Sequence, residues 1–287
     1  MNLKSFVPWR MKLAAKIALS RLPIPYRYWR ALSCFDLGPM EKPEYAYAVF
    51  REHYARAAPE SGFVCLELGP GNSLFTAVIA RAFGASKTYL VDEGAFADGS
   101  PRPYFQMAEY LDRAGLPAPS LAGCAALAEI LERSSAEYCT QGLASLAAIP
   151  TGSVDFLFSH AVLEHVRRRD FFQTMKEMRR VLRAGGVASH RIDFRDHLNG
   201  RLDSLRFSMD RWESKLFAAS GFYTNRLRYS EIVDACTRAG LVVEPAGVER
   251  WSDLPTPREK LAPPFRDLAD SDLRVFACDL VLRPAVA

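Results

Sequence analysis

No apolar stretch in this 287-residue chain approaches the roughly 18 residues needed to cross a bilayer, which reads against an integral membrane protein. No Cys-x-x-Cys pair occurs among the six cysteines (Cys34, Cys65, Cys124, Cys139, Cys236 and Cys278). Several lie in apolar runs, where a reduced cysteine behaves as a small hydrophobe, and the pattern fits a reducing, cytoplasmic location. The first apolar run is broken by Lys16 and lacks a clear small-residue cleavage site, so no signal peptide is expected. No internal repeat appears, which excludes a repeat architecture. Acidic residues are absent from residues 1–30, which hold Lys4, Arg10, Lys12, Lys16, Arg21, Arg27 and Arg30. With a formal charge of +4 overall, that arm is +7 and the remainder is −3.

What is present is ordinary for a folded chain: 49% hydrophobic and 24% charged residues, enough for one large α/β domain with appendages. In the basic arm the charges interleave with Phe6, Trp9, Ile17, Tyr26, Tyr28 and Trp29. Such a segment could be a solvated helix whose aromatics rest on the main domain, or a peripheral contact with an anionic membrane or an acidic partner. Nothing else forms a basic stripe, so no nucleic-acid partner is expected.

From residue 62 onward, short apolar runs alternate with helical patterns, as in a mostly parallel sheet with crossover helices. FVCLEL, KTYLVD, EYCTQ, SVDFLFS and VASHRID read as five strands, and LVVEPAGV with RVFACDLVL as a closing pair. SLFTAVIARAF reads as a helix capped by Asn72 or Ser73. DFFQTMKEMRRVLRAGG reads as an amphipathic helix ended by its glycines. A polar, aromatic stretch at about 194–229 starts at the carboxyl end of the fifth strand, where open α/β sheets bind ligands, and is the candidate substrate cap.

The most informative stretch is VCLELGPGNSLF, residues 64–75. Glycines between a strand and a helix let a ligand approach the backbone, and the helix start offers free amides. Asp92, about 20 residues on at the end of the second strand, is placed to hold ribose hydroxyls. A dinucleotide fingerprint wants a third glycine where Leu74 stands. Glu67 puts a carboxylate in an apolar strand just before the turn, unwelcome to a pyrophosphate and suited to an ammonium group.

LELGPGN, YLVDEG, GLASLAAIPTGSVDFLFSHAVLEHV and MRRVLRAGG together resemble the class I S-adenosylmethionine-dependent methyltransferases over roughly residues 62–284. The resemblance implies a Rossmann-like, seven-stranded, mostly parallel sheet with helices on both faces. Residues 1–60 would then be a basic helical extension, and residues 61–287 the methyltransferase domain. It implies that Glu67 meets the methionine amino group, that Gly69 and Gly71 line the methionine and ribose path, and that Asp92 binds the ribose. Pro70, Asn72, Glu93, Leu143, Ala144, Ser159 and His160 complete the candidate cofactor contacts. Where many relatives carry an acid for the adenine amino group, this chain reads Gly142, Leu143, Ala144.

An Asn-Pro-Pro-aromatic motif for nitrogen acceptors is replaced by Ser159, His160, Ala161 and Val162. His160, His165, His190 and His197 fall near the ends of the fourth and fifth strands, and histidine suits proton removal at neutral pH. The expected chemistry is O-methylation of a small molecule or saccharide, with His160 or His197 as base and Asp193 or Asp196 as its support. N-methylation of a small amine, a binding module without activity, and an oxidoreductase are the alternatives. No metal site is expected, because strand alternation puts His190 and Asp193 on opposite faces.

Overall fold

The computed structural model describes residues 39–285. The basic arm lies outside them. In chain order the elements are α1 (Pro43–Ala57), β1 (Val64–Leu68), α2 (Phe75–Ala82), β2 (Lys87–Val91), α3 (Arg102–Arg113) and α4 (Leu127–Arg133). Next come β3 (Ala136–Cys139), α5 (Leu143–Ala148), β4 (Val154–His160), α6 (Arg168–Val181) and β5 (Leu182–Asp193). The single-turn helices α7 (Met209–Trp212) and α8 (Lys215–Ala218) precede α9 (Tyr229–Arg238) and β6 (Leu241–Arg250). Two further single turns, α10 (Pro263–Arg266) and α11 (Asp270–Leu273), lead into β7 (Val275–Pro284).

The seven strands lie in the order β3-β2-β1-β4-β5-β7-β6, with β1 to β5 parallel and β7 antiparallel to both neighbours. Alternation along the central strands divides the core in two. Cys65, Phe156 and Phe158 face α1 to α4, whereas Leu66 and Leu157 face α5, α6 and α9. Helices therefore cover both faces of the sheet. The order reverses between β1 and β4, the kind of switch point at whose carboxyl ends open α/β sheets bind ligands.

Helix α1 buries Ala46, Val49, Phe50 and His53 at i, i+3, i+4 and i+7, one stripe against the sheet. Burying a phenylalanine such as Phe50 is worth about 2 kcal/mol, and this stripe brings His53 into the core. Helix α2 is buried nearly all round, between its neighbours and the strands. Its start differs from expectation. Neither Asn72 nor Ser73 caps it: the N-cap is Leu74, whose N–H donates to the Tyr104 hydroxyl at 3.2 Å.

Helix α6 also differs, ending at Val181 and passing directly into β5. Gly185 and Gly186 lie inside that strand, where its register with β4 shifts. A Cβ on Gly186 would come 2.8 Å from the Val154 carbonyl, so close strand contact, and not helix termination, requires the glycine.

The stretch expected to form a cap packs together with a second insertion. The stretch after β5 forms a small core of Leu198, Trp212, Phe217, Phe222 and Tyr223. Leu202 and Leu205 instead pack with Leu261, Ala262, Phe265 and Leu273 from the β6–β7 connection, which the sequence pattern did not mark. Arg226 joins the two, lying 5.0 Å from the ring centres of both Trp212 and Phe265 and donating to the carbonyls of Ser204 and Phe207. Arg228 ties the base of the cap to the sheet through the carbonyls of Phe194, Leu273 and Val275. Burial lowers both arginines to about 10, still charged at neutral pH. Among the described residues no helix is long and apolar enough to cross a membrane.

Candidate functional site

β1 gives way to the turn Gly69-Pro70-Gly71, in which the glycines take φ 75° and 68°. That left-handed backbone favours glycine, and Gly69 has a second reason to be one. A Cβ there would fall 2.6 Å from both methyl carbons of Val162, because the β4–α6 loop closes on the turn. Gly71 N–H donates to Oδ2 of Asp92 at 2.8 Å, and Glu93 N–H donates to its Oδ1 at 2.8 Å. The carboxylate is thus fixed at the foot of the turn. Burial raises its pKa above the ordinary carboxylate range despite the two amides.

The Asp92 carbonyl accepts from Gly142 N–H at 2.8 Å, which draws the start of α5, with Leu143 and Ala144, to the end of β2. A Cβ on Gly142 would meet the Glu93 side chain at 3.2 Å. The carboxylate of Glu93 thus stands against this glycine.

Glu67 is 3% exposed and one of its oxygens, Oε2, has no hydrogen-bond partner. Desolvation is the main reason its pKa is raised to about 8; the Thr76 hydroxyl opposes the shift and Asp92 adds to it. A buried carboxylate with an orphaned oxygen is a seat for a cation. Beside it, Asn72 Oδ1 and Ser73 Oγ are also buried and unpartnered, while Asn72 Nδ2 donates to Glu41 at 3.3 Å. Pro70 is buried in the turn itself. A glycine cradle, an orphaned buried carboxylate and an acid at the end of β2 fit an aminoacyl nucleoside with a cationic head.

His160, the last residue of β4, is half-buried. Its Nε2 lies 3.4 Å from the Tyr45 hydroxyl and its Nδ1 lies 3.3 Å from Nε2 of His53. His53 continues to Ser189 Oγ at 2.8 Å. Burial first, and then the Arg191 charge, lowers the His160 pKa, so the ring is neutral at pH 7. The next residue, Ala161, has φ 55°, a strained backbone for a side chain with a Cβ, at the strand end where a substrate would enter.

The other candidates fall elsewhere. Ser159 points to the opposite face from His160, and its hydroxyl lies 2.7 Å from Nδ1 of His190, both fully buried. Burial drives His190 down to about 3, which makes it a neutral packing residue. Asp196 orders the cap entrance: its carboxylate accepts from the amides of Leu198, Asn199, Asp203 and Ser204. Asp193 is held by the guanidinium and amide of Arg195. His197 stacks on His165 with ring centres 4.9 Å apart and Nε2 atoms 3.2 Å apart. His165 and His197 thus form a pair on the cap side, distinct from the group at His160.

Sequence reasoning missed Tyr45, His53 and Glu164. Glu164 is 4% exposed and raised to about 8 by desolvation; its Oε1 accepts from Asp193 N–H and its Oε2 has no partner. A histidine closing the apolar stripe of α1 was the available signal for His53.

The family model described as "Methyltransferase domain" matches residues 107–189, from within α3 through β4 into β5. The match spans 83 of the 287 residues. No curated protein matches the chain. Among solved structures it is similar to a SAM-dependent methyltransferase from Methanosarcina mazei, with 14% identity over 83% of this chain and 98% of that one, at a TM-score of 0.50. It is also similar to phosphoethanolamine N-methyltransferase 2 of Haemonchus contortus, 15% identical over 98% of this chain and 61% of that one, TM-score 0.47. A third is the arsenic(III) S-adenosylmethionine methyltransferase of Chlamydomonas reinhardtii, 15% identical over 95% and 74%, TM-score 0.45. At 14% identity the likeness to the Methanosarcina mazei structure is one of fold.

Proposed function

We propose that this chain is an S-adenosylmethionine-dependent methyltransferase that methylates a hydroxyl group of a small molecule or saccharide, with His160 as the base. The observation that carries the reading is a neutral histidine at the carboxyl end of β4, next to the strand whose glycine turn would hold the cofactor. In this reading Glu67 holds the cofactor's ammonium group, Gly69 and Gly71 let its aminoacyl and ribose portions approach the backbone, and Asp92 holds the ribose hydroxyls. Glu93, Leu143 and Ala144 lie along the nucleobase. Bound there, S-adenosylmethionine supplies an electrophilic methyl group.

An alcohol is a poor nucleophile until its proton has somewhere to go, whereas a neutral amine needs no base before it attacks. His160 accepts that proton at Nε2, where the acceptor hydroxyl displaces the long hydrogen bond from Tyr45 at 3.4 Å. Its lowered pKa keeps it unprotonated and ready at pH 7, with the sign expected of a base: activity rises as pH passes upward through the histidine pKa. The cap from both insertions excludes water from the site and carries the acceptor specificity.

His197 is the second candidate base. The Tyr223 carbonyl can only accept, so His165 must carry its proton on Nδ1, 2.9 Å away. Its Nε2 is then an acceptor, and His197 meets it as the Nε2–H donor.

The test is product analysis with methyl-labelled S-adenosylmethionine and panels of alcohol, saccharide and amine acceptors. The reading expects a labelled O-methyl product and a loss of about 10²–10⁴ in kcat for His160→Ala. A labelled N-methyl product, or full activity in His160→Ala with loss in His197→Ala, would sink it.

A further inference from the structure

Beyond the base itself, the structure contains a device that fixes which nitrogen of His160 carries the proton. We propose that His53 is a positioning residue: it accepts from Nδ1–H of His160 and so keeps the His160 lone pair on Nε2, facing Tyr45. The proposal rests on His160 being the base.

The residues form a string from α1 through β4, back to α1 and into β5: Tyr45, His160, His53, Ser189. A neutral imidazole has one donor and one acceptor nitrogen, so the bridge between the two rings allows two directions for the whole string. In one, Ser189 donates to His53, His53 to His160, and His160 Nε2–H to the Tyr45 oxygen. In the other, Tyr45 O–H donates to His160 Nε2, His160 Nδ1–H to His53 Nε2, and His53 Nδ1–H to Ser189. A phenol is the better donor of the Tyr45–His160 pair, and an imidazole lone pair the better acceptor, so the second direction is preferred. Only that direction leaves His160 with a basic Nε2.

The surroundings make His53 a holder and not a second proton store. It is 1% exposed, lies against the Phe158 ring at 5.2 Å, and has its pKa pushed well below the histidine range by burial and then by His160. Charged groups facing the pair are Glu52 and Arg56 on α1, Arg191 on β5 and Asp279 on β7; His190 lies beyond them. Asp279 bridges Arg56 at 3.1 Å and Arg191 at 2.8 Å, which confines these charges to one another. A neutral acceptor thus orients the base without the large upward pKa shift that a carboxylate in its place would bring.

The full-length chain labelled with ¹⁵N-histidine tests this directly. Long-range ¹H–¹⁵N spectra, assigned with His160→Gln and His53→Gln, are expected to show His160 protonated on Nδ1 at neutral pH. His160 protonated on Nε2 would overturn the proposal whatever the activity. His53→Leu should shift His160 toward the Nε2–H form and lower kcat by roughly 10- to 30-fold, the loss of about one hydrogen bond, with KM little changed. Its acid limb should move to lower pH, because the imidazolium loses an acceptor. His53→Gln, whose carbonyl can still accept, should restore most of the rate. Unchanged tautomer, kcat and acid limb in a folded His53→Leu would refute the positioning role. Full activity in His160→Gln would instead remove the base assignment, while the wild-type tautomer still reports on His53.

Discussion

Glu67→Gln should do two opposite things: stabilise the cofactor-free protein and abolish tight cofactor binding. The carboxyl is 3% exposed and its pKa rises from 4.5 to about 8, chiefly by desolvation. A folded-state pKa above the unfolded one means that the protonated form stabilises the fold. That contribution is complete below pH 4.5 and drains away as pH rises toward 8. At 1.36 kcal/mol per unit, the loss accumulated by pH 7 is about 3 kcal/mol. Glutamine carries no charge at any pH, so the variant should melt about 10 °C higher than the wild type at pH 8 and show a flatter stability profile. The same substitution removes the partner of a buried ammonium group. Losing one member of such a pair costs about 3–5 kcal/mol, a fall in affinity of roughly 10²–10³ or more. In the wild type, binding must also take the proton from Glu67, so affinity should climb by about tenfold per pH unit from pH 5 to 7 and level off near 8. Thermal melts from pH 4 to 9 and calorimetry with S-adenosylmethionine read both effects. A variant that melts lower at pH 8 and binds as tightly as the wild type would refute the reasoning.

Other substitutions separate the turn from the cap. Gly69→Ala places a Cβ 2.6 Å from Val162 in a left-handed backbone, so it should destabilise by about 1–3 kcal/mol and weaken cofactor affinity together, read by melting and calorimetry. Asp196→Ala leaves four amides at the cap entrance without their acceptor; it should cost about 2 kcal/mol in chemical denaturation and leave cofactor affinity unchanged. Trp212→Ala removes the fully buried centre of the cap, whose indole N–H donates to Thr224 at 2.7 Å, at a cost of about 3–5 kcal/mol. Limited proteolysis should then cut first within residues 194–228.

The sheet was legible because its strands are short apolar runs between turn residues. The turn was legible because Gly69, Gly71, Glu67 and Asp92 lie within 26 residues and carry their chemistry in their spacing. Contacts between distant segments were not. Tyr45 and His53 reach His160 across more than 100 residues, and no local pattern announces that meeting. The β6–β7 connection, rich in proline and charge and without helical or strand periodicity, gave no hint that Leu261 and Phe265 complete the cap. Asp196 drew notice as an aspartate beside a histidine, and only the folded chain shows that its carboxylate gathers backbone amides from the loop that follows it.

A crystal structure of the full-length chain with S-adenosylhomocysteine tests the central claim most directly. The account predicts the ammonium group on Glu67, the ribose hydroxyls on Asp92, and the sulfur facing Nε2 of His160. A nucleoside seated away from the glycine turn, or a sulfur turned toward His197 with His160 shielded from it, would contradict it.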